Sequence, residues 1–183
     1  MSDQISFGGS VLRIVRGDIT DLSLDAFVFY AREDLQLGSG FGTAISQRGG
    51  PSVQEELDKI GGAKPSQAVV TKAGELKAKH IIHAIGPKFM EEDLPSKLET
   101  TIRNALSEAE KAGVKTIAFP PMGAGFYGVP LEESAKITTR VLAEYLNNSP
   151  RIDEITICCL DSREYAPFEA RLSALGSQKG EAS

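Results

Sequence analysis

The chain has 183 residues, 41% of them hydrophobic, which fits one globular domain with a core of its own. Its 25 Asp and Glu residues outnumber its 20 Lys and Arg residues, and the formal net charge of −5 argues against a general electrostatic attraction to nucleic acid. No apolar stretch reaches the roughly 18 residues of a membrane span and no signal-peptide pattern is present, so we expect a cytoplasmic protein without a membrane partner.

Apolar, β-branched runs predict six strands, and helical periodicity predicts five helices. In chain order these are strands at 11–15 and 26–29, helices at 43–48 and 51–60, strands at 67–72 and 79–85, a helix at 94–112, a strand at 114–119, a helix at 131–146, a strand at 152–160 and a helix at 165–175. The alternation predicts an α/β fold with a largely parallel central sheet. We expect one domain over residues 1–176 and a polar, disordered tail over 177–183.

Two glycine-rich segments each join a predicted strand to a predicted helix. One runs from Gly38 to Ala44, and the other lies within 120–130 and includes Gly123, Gly125 and Gly128. Glycine permits tight turns and close approach of the backbone to a ligand, and a helix start favours an anion. Because ligands of open α/β sheets bind beyond the carboxyl ends of the strands, the two loops predict a site for two phosphates or one diphosphate. The alternative, that these glycines serve only the turns, remains open.

The cysteine and histidine residues do not indicate a metal site. Cys158 and Cys159 are adjacent within the apolar run 155–160, which predicts small core residues in a strand. His80 and His83 lie three residues apart on one predicted strand and so point to opposite faces of the sheet. We therefore expect neither a metal ion nor a cofactor.

Taken in order, these segments resemble the macrodomain family, which binds ADP-ribose. The resemblance covers about residues 10–168 and implies a three-layer α/β/α sandwich with a mixed, six-stranded sheet. Five blocks carry it: Val15-Arg16-Gly17-Asp18-Ile19-Thr20, Asp25-Ala26-Phe27-Val28, Leu35-Gln36-Leu37-Gly38-Ser39-Gly40, His80-Ile81-Ile82-His83-Ala84-Ile85-Gly86-Pro87, and Ala118-Phe119-Pro120 with the glycine loop that follows.

The resemblance implies a role for each segment of the site. Asp18 would accept a hydrogen bond from the adenine amine, Ile19 would line the adenine pocket, and Tyr127 would lie against the distal ribose. Tyr165 or Arg163 would stack on the base, although either is equally a surface residue. From the residues alone, Asp18 is equally a turn former or a helix cap, and Tyr127 equally a lid on its own loop. The expected ligand-binding residues are Asp18, Ile19, Arg32, Gly38, Ser39, Gly40, Phe41, Gly42, Thr43, Ala44, Gly123, Ala124, Gly125, Phe126, Tyr127, Asp161 and Tyr165.

The chain departs from the family at the end of the site where hydrolysis takes place. Phe29 and Arg32 occupy the positions of the family's Asn-x-x-Asn pair, Gly42 that of an aspartate in the first glycine loop, and Ser46 that of a histidine. Phenylalanine and glycine neither take a proton nor orient water, and arginine is permanently cationic, although it can pair with a phosphate or carboxylate. We expect Phe29 and Tyr30 to narrow or reshape the pocket for the distal ribose; alternatively, Phe29 faces the core.

We therefore expect binding of ADP-ribose or an ADP-ribosylated protein, with weak or no hydrolase activity, by a protein that is monomeric. No catalytic residue is assigned. The alternative is an ADP-ribosyl hydrolase or O-acyl-ADP-ribose deacylase that uses non-standard residues. A third interpretation is a different nucleotide or a single-stranded RNA end, which the acidic net charge disfavours.

Overall fold

A computed structural model of the chain describes residues 3–182, the last two as backbone alone. Within these residues the chain forms one seven-stranded sheet and five α-helices. The strands are β1 (Gln4–Phe7), β2 (Ser10–Arg16), β3 (Ala26–Tyr30), β4 (Ala68–Lys72), β5 (His80–Ala84), β6 (Thr116–Phe119) and β7 (Glu154–Cys159). The helices are α1 (Phe41–Gly49), α2 (Ser52–Ile60), α3 (Leu94–Lys111), α4 (Leu131–Leu146) and α5 (Ser162–Ala182), with 3-10 turns at Ile19–Asp21 and Gly125–Tyr127.

The strand order across the sheet is β1-β2-β7-β6-β3-β5-β4. The five inner strands run parallel to one another, whereas β1 and β4 pair antiparallel at the two edges. The carboxyl ends of β2, β7, β6 and β3 therefore lie side by side along one end of the sheet. Ligand sites of open α/β sheets form at such an end.

Helices cover both faces of the sheet. The side chains of β3 show the division, because Phe27 and Phe29 pack with α1 and α2, while Ala26, Val28 and Tyr30 pack with α3, α4 and α5. All five are buried, as expected for a parallel strand with a helical layer on each side. The predicted α/β/α sandwich with a mixed sheet is confirmed, with seven strands rather than six.

The additional strand is β1. It has four residues, of which only Phe7 is buried, and so carries little of the apolar pattern that marks a strand. It pairs with β2 through a hairpin in which Phe7 lies opposite Ser10, across the two glycines Gly8 and Gly9. Pairing with its neighbour, and not its own hydrophobicity, makes this segment a strand.

The same strand accounts for a difference at the C-terminus. Helix α5 continues through residues 177–182, where a disordered tail was expected. The Lys179 ammonium group donates to the Ser6 carbonyl at 2.5 Å and lies 3.7 Å from the centroid of the Phe7 ring. The polar C-terminal segment is therefore fastened to β1, and Ser183 lies outside the described residues.

Both cysteines are buried in β7, as predicted, and burial raises the pKa of each thiol to about 12. His83 is fully buried and its Nε2 lies 2.9 Å from Thr71 Oγ1. Burial lowers the pKa of His83 to about 3, so the ring is neutral. Residues 3–182 hold no group of three or more His, Cys, Asp or Glu side chains suited to a metal ion. In the same part of the chain, no helix combines the length and apolarity needed to cross a bilayer.

Candidate functional site

A cavity of about 600 Å³ lies at the carboxyl ends of β2, β7, β6 and β3. We call it the cleft. Each of these strands is followed by a segment that lines it, so the order of strands in the sheet sets the order of groups along the cleft. Of the predicted site residues, Gly42, Thr43, Asp161 and Tyr165 lie outside its lining, and all the others line it.

The end of the cleft beyond β2 is built around Asp18. Its Oδ1 accepts hydrogen bonds from Thr20 N at 2.9 Å and Thr20 Oγ1 at 2.5 Å, so it caps the 3-10 turn Ile19–Asp21. Its Oδ2 lies 3.2 Å from Nη1 of Arg48, which also pairs with Asp21 and ties the turn to α1. Asp18 is therefore both the cap and a cleft residue, so the two interpretations of the sequence are compatible.

Asp18 is a carboxylate at neutral pH. Burial raises its pKa, but the hydrogen bonds from Thr20 and the charge of Arg48 outweigh burial and hold the pKa below its ordinary value. An ionised carboxylate accepts but does not donate, and its two oxygens offer about four lone-pair directions. Thr20 and Arg48 leave acceptor capacity on Asp18 for a ligand donor in the cleft.

Beyond β7, the cleft is lined by Leu160, Arg163 and Glu164. Glu164 Oε2 accepts from Leu160 N at 2.7 Å, while Asp161 Oδ1 accepts from Glu164 N at 2.9 Å and so caps the start of α5. These two hydrogen bonds fix the turn from strand to helix. Asp161 thus shapes this part of the cleft without lining it.

Tyr165, which the resemblance places in the cleft against a base, lies away from the cleft. Its hydroxyl is 3.1 Å from Asp3 Oδ1, and the Arg16 guanidinium lies 5.7 Å from its ring centroid. One residue along a helix rotates the side chain by about 100°, so Glu164 faces the cleft and Tyr165 faces the β2 side. Leu160, the exposed residue directly after β7, provides apolar surface to this part of the cleft.

The first glycine loop, Gly38 to Ala44, connects the β3 side of the cleft to α1. Gly38 and Gly40 have φ values of +68° and +64°, which side-chain-bearing residues rarely adopt. Gly40 is the N-cap of α1, and the first turn of a helix leaves backbone N–H groups without partners in the helix. Thr43 Oγ1 donates to the Gly38 carbonyl at 3.0 Å and so holds the loop closed from outside the cleft.

Gly42 is buried in this loop for a steric reason. A Cβ at this position would lie 1.6 Å from the carbonyl oxygen of Leu37. The backbone of the preceding turn thus occupies the space that a side chain at residue 42 would need, and Gly42 contributes to loop packing instead of lining the cleft.

The second glycine loop follows β6. Gly123 and Gly125 have φ values of +77° and +75°, and Val129 N donates to the Gly123 carbonyl at 2.9 Å to close the loop. A Cβ at Gly123 would lie 2.6 Å from Val129 Cγ2, whereas one at Gly125 would meet no atom within 4 Å. Gly123 is therefore needed for the turn itself, and Gly125 leaves the backbone open towards the cleft.

The end of the cleft beyond β3 is aromatic. Phe29 stacks on Phe41, with ring centroids 5.2 Å apart and planes 16° apart, and Tyr30 contacts Tyr127 with centroids 4.7 Å apart. Phe29 is buried and also lines the cleft, so its ring separates the β3 end of the cleft from the core. The Tyr30 hydroxyl donates to the carbonyl of Pro87, and burial raises its pKa far above the ordinary value. Neither aromatic residue is a base at neutral pH.

Arg32 is the charged residue at this aromatic end. Its Nη2 lies 2.6 Å from Asp34 Oδ2, and its Nη1 would lie 3.5 Å from a Cβ at Gly38. Burial raises the pKa of the Tyr127 hydroxyl, and the Arg32 charge opposes that rise. Arg32 thus lies beside the first glycine loop and near Tyr127 of the second glycine loop.

Several lining residues were not assigned to the site from the sequence, among them Leu160 and Glu164. Leu160 was placed within a strand at 152–160, but β7 ends at Cys159, so Leu160 turns out to solvent. Glu164 could be assigned only once the first residue of α5 was known.

Comparison with known proteins assigns the family. The family model described as the Macro domain matches residues 30–138. A macro domain-containing protein of Caldanaerobacter subterraneus is 39% identical over 86% of this chain and 93% of its own length. One from Streptomyces griseus is 37% identical, over 89% of this chain and 95% of its own.

Solved structures agree. An Oceanobacillus iheyensis macrodomain with ADP matches 96% of both chains with a TM-score of 0.91 at 23% identity, a likeness of fold. A Trypanosoma brucei macrodomain in complex with ADP-ribose matches 87% of this chain and 68% of its own, with a TM-score of 0.81 at 30% identity. The chain belongs to the macro domain family.

Proposed function

We propose that this protein binds ADP-ribose, free or attached to another molecule, in the cleft, and does not hydrolyse it by the route of the family's hydrolytic members. The observation that carries the proposal is the order of groups along the strand ends. A carboxylate acceptor follows β2, a glycine loop follows each of β6 and β3, and aromatic rings close the β3 end.

This order suits an adenine nucleotide. Asp18 accepts a hydrogen bond from the exocyclic amine of adenine, and Ile19 and Leu160 provide apolar surface to the base. The two glycine loops present backbone to the diphosphate, and the start of α1 adds a favourable dipole. The distal ribose lies against Tyr127. The Trypanosoma brucei relative with ADP-ribose supports this ligand.

The absence of the usual hydrolytic route rests on three positions. Phe29 presents a stacked ring, Arg32 a permanent cation, and Gly42 a position where a Cβ would collide with the Leu37 carbonyl at 1.6 Å. None of them positions or deprotonates water. The Asp34 carboxylate, which follows the same strand as Phe29, is paired with Arg32 and lies outside the cleft lining.

The test has two parts. In isothermal titration we expect saturable binding of ADP-ribose with a Kd on the order of 1 µM, about −8 kcal/mol, and weaker binding of AMP and ADP. Incubation with an ADP-ribosylated protein should release no ADP-ribose, with an active macrodomain hydrolase run in parallel as a positive control. Absence of ADP-ribose binding to folded protein would contradict the first part, and catalytic release abolished by substitution of a cleft residue would contradict the second.

A further inference from the structure

Arg32 has no evident structural task in the cleft. Its side chain is 53% exposed, and its only ion pair with a described residue is to Asp34, itself 48% exposed. An exposed pair of this kind contributes about 0–1 kcal/mol to stability, because water screens it and the side chains lose freedom. The pairing with Asp34 is therefore weak enough for another anion to replace Asp34 as the partner of Arg32.

The surroundings of Arg32 favour such an anion on the cleft side. The other lining groups at this end are the rings of Phe29, Tyr30 and Tyr127 and the backbone of the first glycine loop. The acidic residues that line the cleft, Asp18 and Glu164, follow β2 and β7, on the far side of β6 from Arg32. An anion at the aromatic end thus meets a guanidinium with no lining carboxylate beside it, and a charge-assisted hydrogen bond to a guanidinium is stronger than one between neutral groups.

Arg32 also lies beside the loop that is proposed to hold the diphosphate. Its Nη1 lies 3.5 Å from the Cβ position of Gly38, so the guanidinium flanks the loop proposed to hold the diphosphate. Asp34 is itself held in place, because its Oδ1 accepts from Gln36 N at 3.0 Å. Asp34 keeps the guanidinium beside the loop, with Nη1 turned towards Gly38.

From these observations we infer that Arg32 makes the aromatic end of the cleft selective for an anionic group attached beyond the diphosphate. The inference rests on the proposed function, since it assumes an adenine diphosphate in the cleft. The ligands of this class are adenine nucleotides that carry a phosphate or a carboxylate on the far side of the diphosphate. When no such group is bound, Asp34 forms the ion pair with the Arg32 guanidinium.

Two matched ligand pairs test this by calorimetry in EDTA at constant ionic strength. ATP and ADP differ by a terminal phosphate, and nicotinate adenine dinucleotide and NAD⁺ differ by a carboxylate in place of a carboxamide. The expected result is binding about fivefold or more tighter for the anionic member of at least one pair. Tighter ATP binding identifies a phosphate, and tighter binding of the nicotinate compound identifies a carboxylate.

Three variants locate the effect. Arg32→Gln should abolish the preference, because it lowers the affinity for the anionic member of the pair more than the affinity for the other member. Asp34→Asn should strengthen binding of the preferred ligand by about two- to fivefold, because the competing carboxylate is gone. Arg103→Gln removes an exposed, ion-paired arginine from α3, away from the cleft, and should leave the preference intact.

The outcomes separate this inference from the proposed function. If ADP and ADP-ribose bind but neither anionic ligand binds more tightly, the inference is overturned and the proposed function stands. An equal loss of ADP and ATP affinity in Arg32→Gln also overturns it, because Arg32 would then hold the diphosphate. If no adenine nucleotide binds, both are overturned.

Discussion

The two ends of the cleft are built on different principles. At the β2 end, Asp18 is ionised, accepts two hydrogen bonds from Thr20 and pairs with Arg48, so a polar acceptor is held in a fixed network. At the β3 end, Phe29, Tyr30 and Tyr127 form aromatic contacts around a loosely paired Arg32. One end presents a fixed hydrogen-bond acceptor, while the other presents aromatic rings and an arginine. The proposed function, binding without the usual hydrolytic route, rests on this division.

The largest effect should come from Gly42→Asp, which restores a carboxylate where hydrolytic relatives have one. We expect a loss of about 3 kcal/mol or more in the free energy of unfolding and no gain of hydrolysis, because the Leu37 carbonyl occupies the space. Urea unfolding measures the stability. Gly9→Asp is the control, since a Cβ at Gly9 meets no atom within 4 Å. A stable, active Gly42→Asp protein would show that the aromatic end is not closed to catalysis.

Next in size is Gly125→Val in the second glycine loop. Valine adds bulk where the backbone faces the cleft and is strained at a φ of +75°, so ADP-ribose affinity should fall by about tenfold or more. Calorimetry measures the affinity, and circular dichroism checks folding. Gly113→Val, at the same φ of +75° but after α3, controls for strain alone. Normal binding by folded Gly125→Val would remove this loop from the phosphate site.

Asp18→Ala tests the β2 end. The affinity for ADP-ribose should fall by about 1–3 kcal/mol, the cost of leaving the adenine amine without an acceptor. Asp21→Ala is the matched control, because it removes the other carboxylate paired with Arg48 but does not line the cleft. Equal affinities for the two variants would mean that adenine is not held by Asp18.

The two ends of the cleft should also differ in their sensitivity to acid. His83 packs edge-on against Phe29, with centroids 5.9 Å apart, and its pKa falls from 6.5 in the unfolded chain to about 3. Below pH 6.5, His83 is protonated in the unfolded state but stays neutral in the folded state. The free energy of unfolding should therefore fall by up to about 1.4 kcal/mol per pH unit towards pH 3. Asp18, whose pKa is lowered from 3.8, stabilises the fold above that pH and loses its contribution only below it.

Urea unfolding of wild type and His83→Gln at pH 7, 6, 5 and 4 measures this difference. His83→Gln should flatten the slope between pH 6 and 4, and Asp18→Asn should leave that range unchanged. A slope that persists in His83→Gln would assign the acid sensitivity to another group.

The order of most elements followed from local pattern, and most of the predicted site residues line the cleft, but it was the family resemblance that assigned their roles. Buried strands such as β3 and the glycine loops after them are recognisable from residue type. By contrast, β1 is a strand through its pairing with β2, and residues 177–182 are helical where Lys179 contacts Ser6 and Phe7. Such long-range contacts leave little local signal.

Within the site, the errors concern direction. The resemblance offers Tyr165 or Arg163 as the residue at the adenine site; the phase of α5 turns Tyr165 towards Asp3 and Arg16, and Arg163 lines the cleft. Gly42 was interpreted as a missing carboxylate, whereas the Leu37 carbonyl excludes any side chain at that position. Neither the starting residue of a helix nor the path of a neighbouring backbone can be determined from residue type to the accuracy that a side-chain direction requires.

A crystal structure of the protein with ADP-ribose would test the central claim most directly. We predict the adenine amine within hydrogen-bond distance of Asp18, the diphosphate between the two glycine loops, and the distal ribose beside Tyr127 and Arg32. A ligand bound in the opposite direction, with its adenine among the aromatic residues of the β3 end, would contradict the division of the cleft described above. So would a ligand bound outside the cleft.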